Sequence, residues 1–142
     1  KPIINIDHHI TNTNFGTINC VNPQAASTTE VLYAMIKSAK IKINDQLAYH
    51  LYTGLMTDTG SFRFPATTAS VHRAIAHFKD LGLDHRQIHE EIYDNFLESR
   101  LRFIGYALLN RMEVLYEYNT AIMYITHADL HKFDIKTGDT EG

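Results

Sequence analysis

The sequence predicts an α/β fold: part of a parallel sheet flanked by helices, then a linker helix and the first hairpin of a second α/β domain. Three observations predict it. The apolar run Ile3–Ile6 is typical of a buried strand. Apolar residues then recur at helical spacing as far as residue 110, and two strand-like runs near the end are separated by a short polar segment.

Length and composition narrow the class of protein. A chain of 142 residues fits one domain, or one domain and a piece of a second. The formal net charge of -3 gives no electrostatic footprint for duplex DNA or an anionic membrane, and no apolar stretch approaches the ~20 residues of a membrane span. The single Cys20 excludes an intrachain disulfide and favours a reducing compartment, so we expect a cytoplasmic location.

A loop and a helix are predicted after the first strand. Residues 11–24 are rich in Thr, Asn, Gly and Pro, which is typical of a loop with at most a short strand at Thr17–Val21. Ser27 stands three residues before Glu30, a capping-box signature, ahead of the helical run Val31–Ala39.

Three further helices are predicted before residue 96. Leu47, Leu51 and Leu55 share one stripe of the second, and glycine in the C′ position ends the third. The second helix is predicted to begin at a cap on Asn44 or Asp45 and to run to about Met56. The third begins at Thr67 or Thr68 and ends at Leu81-Gly82, and the fourth runs from its cap Asp84 to Tyr93.

The pattern changes near residue 97. A helix is predicted over roughly Glu98–Asn110, followed by strand-like runs at Met112–Tyr116 and Ala121–Thr126 that form a hairpin. Another short helix is predicted to start at Ala128–Leu130.

Two polar clusters are candidates for chemistry. Asp7, His8 and His9 directly follow the first strand, where ligands bind in open α/β sheets, and Asp and His suit divalent ions such as Mn²⁺ or Zn²⁺. Asp58 lies at a predicted helix end, where the helix dipole disfavours an acid unless a cation binds it. The alternatives are a capped turn with two solvated histidines, and an Asx-turn from Asp58 to Gly60.

The remaining histidines are predicted to be solvated surface residues. Two pairs have the i, i+4 spacing that can ligate zinc on one helix face, but neither has a convincing third ligand in the sequence. These pairs are His85 with His89 and His127 with His131, and the same interpretation applies to His50, His72 and His77.

The two clusters together resemble the DHH phosphoesterase superfamily. Its members have a strand followed by Asp-His-His and, later, a Thr-Asp-Thr-Gly-type motif, and this chain has both, at Ile3–His9 and Leu55–Phe64. The stretch Asp-Thr-Gly-Ser-Phe-Arg-Phe is similar to that of the nanoRNase and pAp (3′-phosphoadenosine-5′-phosphate) phosphatase group, often described as exopolyphosphatase-related. The tail Gly138–Gly142 looks like the start of a segment of the associated C-terminal (DHHA1) domain.

The resemblance implies a role for individual residues. His8 and Asp58 would ligate Mn²⁺ in a centre of two ions, and His9 would contact the substrate phosphate and act in catalysis. Asp7 would take part by fixing the tautomer of a histidine. Arg63 would contact a substrate phosphate, with a solvated loop arginine as the alternative.

The resemblance also implies a domain layout. Residues 1–96 would be the C-terminal part of the DHH catalytic domain, 97–110 a linker helix and 111–142 the start of the DHHA1 domain. The family's upstream motif of one His and two Asp, its bridging Asp and its later Gly-rich motif are not in this sequence. We therefore expect a fragment that carries half of an active site and is inactive alone.

The function implied is metal-dependent hydrolysis of short oligoribonucleotides, 3′-phosphoadenosine-5′-phosphate or both. Within the same class the alternatives are a cyclic-dinucleotide phosphodiesterase, an inorganic pyrophosphatase and a RecJ-type exonuclease. An alternative from a different class of function is a non-catalytic nucleotide-binding module. Short RNA or a nucleotide is the expected partner, without duplex DNA or a membrane, and a homodimer is a further expectation.

Overall fold

The computed structural model describes residues 1–94 and 97–136, and the chain divides into two compact units. The first runs from Lys1 to His89 and the second begins at Glu90. The described residues form a two-stranded parallel sheet, a two-stranded antiparallel sheet and six α-helices. The predicted α/β class is confirmed. The predicted resemblance at Gly138–Gly142 falls outside the described residues.

The elements follow one another in the predicted order. The first unit contains β1 (Ile4–Asp7), β2 (Ile18–Val21), α1 (Thr28–Ser38), α2 (Asp45–Asp58), α3 (Ala69–Asp80) and α4 (His85–His89). The second contains a π-helical turn (Glu90–Asp94), α5 (Glu98–Asn110), β3 (Met112–Leu115), a 3₁₀ turn (Tyr116–Tyr118), β4 (Thr120–Met123) and α6 (His127–Lys132).

Strands β1 and β2 pair in parallel, with Ile4 opposite Ile18 and Asp7 opposite Val21. The prediction that the first strand is buried was wrong, since Ile4 is 60% exposed and Asn5 is the buried residue of β1. Successive side chains of a strand point to opposite faces. Helix α1 packs against β1, but within the described residues no second layer covers the face that carries Ile4.

Helix α2 forms the centre of the first unit. It packs against α1, α3 and α4, and its buried stripe is completed by side chains from α3 and α4. The largest fully buried side chains of this core are Leu51, Tyr52, Leu55, Met56, Val71, Phe78 and Ile88. The leucine stripe predicted for α2 is confirmed at Leu51 and Leu55.

Side-chain caps begin the first two helices. Ser27 accepts a hydrogen bond from the backbone N–H of Glu30, while the Glu30 carboxylate accepts from the N–H of Ala26 at 2.7 Å, one residue before the usual capping-box position. Asn44 caps α2 by accepting from the N–H of Leu47.

The helix predicted from Asp84 to Tyr93 is correct only in its first part. Its α-helical portion ends at His89 and the chain continues as a π-helical turn. So short a segment does not contain enough apolar positions to distinguish a period of 3.6 residues from a wider turn.

The second unit contains the predicted helix and hairpin. Helix α5 has the predicted bounds, and β3 pairs antiparallel with β4 from Met112 opposite Met123 to Leu115 opposite Thr120. Strand β3 ends one residue before its predicted end because the chain leaves the ladder in the 3₁₀ turn, whose C-cap Asn119 lies in the left-handed region with φ of 47°. Strand β4 ends at Met123, before the predicted end at Thr126.

A buried ion pair organises the start of α6. Asp129 accepts from the guanidinium of Arg111 at 2.8 and 3.0 Å and from the hydroxyl groups of Tyr106 and Thr126 at 2.9 and 2.6 Å. The Arg111 hydrogen bonds, followed by those from Thr126, hold the pKa of Asp129 well below its usual range. A buried carboxylate of this kind requires its partners.

Among residues 1–94 and 97–136, none of the helices has the length and apolar character needed to cross a membrane.

The central position of α2 predicts a large effect of core truncation. Leu55→Ala removes a fully buried side chain and should lower the free energy of unfolding by about 2–5 kcal/mol. Urea denaturation followed by circular dichroism measures the change. Ile41→Ala, at a side chain that is 57% exposed, is the control and should cost less than about 1 kcal/mol. Equal losses in the two variants would contradict the assigned core.

Candidate active site

The candidate site lies where the parallel strands end. Asp7 is the last residue of β1 and is opposite Val21, the last residue of β2. His8 and His9 follow immediately, and the backbone carbonyl of Asp7 accepts from the N–H of Asn22 at 3.0 Å. The strand therefore delivers the first cluster to the carboxyl edge of the sheet.

The carboxylate of Asp7 collects several hydrogen bonds. One oxygen, Oδ1, accepts from the backbone N–H groups of His8 and His9 at 2.7 and 3.2 Å. The other, Oδ2, accepts from the Asn12 side-chain amide at 2.6 Å. The Asn12 amide, and after it the His9 ring, hold the pKa of Asp7 well below its usual range, so this carboxylate is an ionised acceptor.

His9 is the histidine that Asp7 orients. Its Nδ1 lies 2.7 Å from Oδ1 of Asp7, and because an ionised carboxylate only accepts, Nδ1 carries the proton in this contact. The opposite ring nitrogen, Nε2, is left for a ligand. The side chain of His9 is 67% exposed, so a ligand can reach it.

His8 is oriented by the backbone instead. Its Nδ1 lies 3.2 Å from the carbonyl oxygen of Ala25, which only accepts, so Nδ1 is again the protonated nitrogen. Its Nε2 then presents a lone pair, and it faces Oδ2 of Asp58 at 3.6 Å. The sequence left open which histidine Asp7 fixes, and the structure gives that contact to His9.

Asp58 reaches the same place from the end of α2. It is the last residue of this helix, and its side chain is 44% exposed. The N–H of Gly60 donates to the backbone carbonyl of Thr57 at 3.2 Å, so the Asx-turn from Asp58 to Gly60 is not formed. A carboxylate at this end of a helix meets the negative end of the helix dipole and is stabilised by a cation.

The two facing atoms fit a divalent ion as a partial set of ligands. The separation of 3.6 Å is too long for a hydrogen bond, and two atoms each about 2.0–2.2 Å from one ion can be this far apart. A neutral imidazole nitrogen and a carboxylate oxygen are ligand types that suit Mn²⁺ and Zn²⁺. Within residues 1–94 and 97–136, no group of three or more His, Cys, Asp and Glu side chains could hold a metal ion.

The turn after Asp58 has an unusual backbone. Gly60, Ser61 and Phe62 are successive residues with φ of 55°, 56° and 65°, a conformation that costs energy in residues other than glycine. The fully buried hydroxyl of Thr59 stabilises the turn by donating to the Leu55 carbonyl and accepting from the N–H of Phe62. Sequence reasoning missed the positive φ of Ser61 and Phe62, because this conformation is expected mainly at glycine.

Arg63 is held by this same turn. Its Nε donates to the carbonyl oxygen of Gly60 at 2.7 Å, and the side chain is exposed. The structure thus brings together Asp7, His8, His9 and Asp58 and gives Arg63 a local contact. A contact of Arg63 with substrate stays a prediction.

Three asparagines at the site were not singled out from the sequence. Asn5 and Asn19 face each other across β1 and β2, and Asn12 joins them in the connection between the strands. The available signal was the polar Asn5 inside an otherwise apolar strand, since a buried polar side chain requires hydrogen-bond partners.

Two of the remaining histidines differ from their prediction. His77 and His89 are half-buried, with ring nitrogens 2.9 and 3.0 Å from the hydroxyl groups of Tyr33 and Tyr52. The sequence could not indicate these contacts because each joins two different helices. The other five histidines assigned to the surface are exposed as predicted: His50, His72, His85, His127 and His131.

Known proteins resemble this chain over much of its length, although no family model matches it. The bifunctional oligoribonuclease and PAP phosphatase of Thermus thermophilus is 38% identical over 81 residues, which are 57% of this chain and 25% of that protein. The protein of the same name from Bacillus subtilis is 26% identical over 134 residues, which are 92% of this chain and 42% of that protein.

A solved structure is also similar to this chain. The crystal structure of an exopolyphosphatase-related protein from Bacteroides fragilis has a TM-score of 0.91 at 35% identity, over 98% of this chain and 41% of that one. The chain therefore spans less than half of each of these three proteins. By name, the two enzymes cleave phosphate esters. The resemblance to the nanoRNase and pAp phosphatase group is confirmed.

Replacing glycine by alanine should destabilise the turn after Asp58 more than two other positions of the chain. In Gly60→Ala the new Cβ would lie 2.5 Å from the Phe64 ring at a positive φ, so the free energy of unfolding should fall by about 2–4 kcal/mol. Gly82→Ala, at φ of 94° with open space around it, should cost about 1 kcal/mol. Gly105→Ala, in helix α5 with no close neighbour, should be neutral or stabilising. Thermal unfolding gives the order, and equal effects of the first two would contradict the described packing of the turn.

Proposed function

We propose that this chain supplies one half of the two-ion Mn²⁺ site of a phosphoesterase that hydrolyses short oligoribonucleotides, 3′-phosphoadenosine-5′-phosphate or both. The observation that carries the proposal is the approach of His8 Nε2 to Asp58 Oδ2 at the carboxyl end of β1. The names of the relatives support the substrate class. Because the matched segments are 25% and 42% of the two named relatives, the activity proposed is that of the full-length protein.

The proposal gives each side chain a distinct task. His8 and Asp58 hold an ion, which when bound lowers the pKa of a water molecule and offsets negative charge on the phosphate. His9 contacts the substrate phosphate through Nε2, because its Nδ1 is engaged by Asp7. Two ions require more than the two ligands that His8 and Asp58 supply, so further ligands come from outside the residues described here.

The alternative functions have less support. The relatives' names favour oligoribonucleotides and PAP over cyclic dinucleotides, pyrophosphate or long polynucleotides. The approach of His8 Nε2 to Asp58 Oδ2 at 3.6 Å favours an ion-dependent hydrolase over the non-catalytic nucleotide-binding module. The cytoplasmic location and the homodimer stay predictions.

Removing either proposed ligand should weaken Mn²⁺ binding and abolish turnover. Loss of a residue that only hydrogen-bonds to a metal ligand typically lowers activity by roughly 10–100-fold. In the full-length protein, His8→Ala or Asp58→Ala should lower turnover by more than this. Isothermal titration with Mn²⁺ and initial rates measure the two effects. His50→Ala and Asp80→Ala are matched controls, since His50 is exposed on α2 and Asp80 is, like Asp58, the last residue of its helix. Normal Mn²⁺ affinity in His8→Ala or Asp58→Ala would remove that residue from the site.

A panel of substrates separates the proposed function from its alternatives. With Mn²⁺, the full-length protein should hydrolyse a short RNA or 3′-phosphoadenosine-5′-phosphate faster than pyrophosphate or a cyclic dinucleotide. The 142-residue chain alone should show no turnover and only weak Mn²⁺ affinity. Activity confined to pyrophosphate would overturn the substrate class, and nucleotide binding without hydrolysis would favour the non-catalytic module.

A further inference from the structure

Three side chains, Asn5, Asn12 and Asn19, form a hydrogen-bonded group that we call the asparagine cluster. Asn5 lies in β1 directly opposite Asn19 in β2, and its side chain is buried. The Asn5 amide donates to Oδ1 of Asn12 at 2.8 Å and to Oδ1 of Asn19 at 3.0 Å. Asn12 comes from the connection between the strands, so the cluster ties this connection to both of them.

The cluster also fixes the path of that connection. Asn12 Oδ1 accepts from the N–H of Asn14 at 2.7 Å, and the Asn19 side chain bonds both the N–H and the carbonyl of Gly16, at 3.0 and 2.8 Å. Parallel strands are usually joined through a longer crossover that contains a helix. Residues 8–17 contain no helix, so these side-chain hydrogen bonds replace the order that a helix would give.

Asn12 extends the cluster to the candidate site. Its Nδ2 donates to Oδ2 of Asp7 at 2.6 Å and also lies 3.3 Å from Oδ1 of Asn5. The other oxygen of Asp7 accepts from the His9 ring. An unbroken set of contacts therefore runs from the buried Asn5 to the exposed His9.

We propose that Asn12, supported by Asn5 and Asn19, is the positioning residue for His9. Asn12 pins one oxygen of Asp7, and the backbone N–H groups of His8 and His9 hold the other. The carboxylate is thereby kept in the rotation in which Oδ1 accepts from Nδ1 of the His9 ring. This inference deepens the proposed function, and it rests on that function for the contact of His9 with the substrate phosphate. The hydrogen bonds of the asparagine cluster do not involve His8 Nε2 or Asp58 Oδ2, the two atoms proposed to bind the ion.

The positioning role predicts different behaviour of the two ring protons in nuclear magnetic resonance. In the 142-residue chain, Asn12→Ala should weaken or remove the hydrogen-bonded Nδ1–H signal of His9, which depends on Asp7. The Nδ1–H signal of His8 should stay, because the Ala25 carbonyl holds it. Asn14→Gly is the matched control in the same connection: Asn14 is exposed at φ of 54°, which glycine adopts readily, and both signals should persist.

In the full-length protein, Asn12→Ala should lower kcat by about 10–100-fold while leaving Mn²⁺ affinity unchanged, in contrast to His8→Ala. An unchanged His9 signal in Asn12→Ala, or loss of the His8 and His9 signals together with Mn²⁺ affinity, would overturn the positioning role. If Asn12→Ala does not fold, Asn12→Ser is judged by the same two signals. Failure of the unmutated full-length protein to hydrolyse any of the substrates would overturn the proposed function, while the ring signals still decide the contact between Asn12, Asp7 and His9.

Discussion

The candidate site depends on the carboxylate of Asp7. Its two oxygens are shared between the backbone N–H groups of the next two residues, the His9 ring and the Asn12 amide. These bonds hold the turn at the end of β1, where the rings of His8 and His9 lie with their centroids 4.5 Å apart and their planes tilted by 59°. Within this close pair, His8 faces Asp58 and His9 is exposed to solvent.

The distance between His8 and Asp58 depends on the core. Asp58 ends α2, and the residues of its last turns, Leu55 and Met56, are fully buried against the neighbouring helices. His8 is held by Ala25, which lies just before α1, and α1 packs against both β1 and α2. The packing of α1 and α2 therefore determines a separation between two polar atoms, and hydrophobic burial provides the rigidity that an ion site requires.

Local patterns predicted most of this structure, and long-range contacts account for what was missed. The bounds of α5, the cap at Ser27 and the polar cluster after β1 all follow from spacing within a few residues. The asparagine cluster depends on the parallel register, and the Tyr33–His77 and Tyr52–His89 contacts depend on which helices pack together. A sequence pattern does not show the register in which two strands pair or which helices pack against each other. For the same reason the pattern of β1 could not indicate which of its faces is covered.

With the proposed ion in place, the position of Asp58 at the end of α2 would link ion binding to folding. A carboxylate there repels the last carbonyl groups of the helix, so an ion bound beside it acts as a C-terminal cap for α2. Any ligand that binds only the folded state raises the apparent stability as its concentration exceeds the dissociation constant. Helix α2 forms the centre of the first unit, so an ion bound beside Asp58 would add to the stability of that unit.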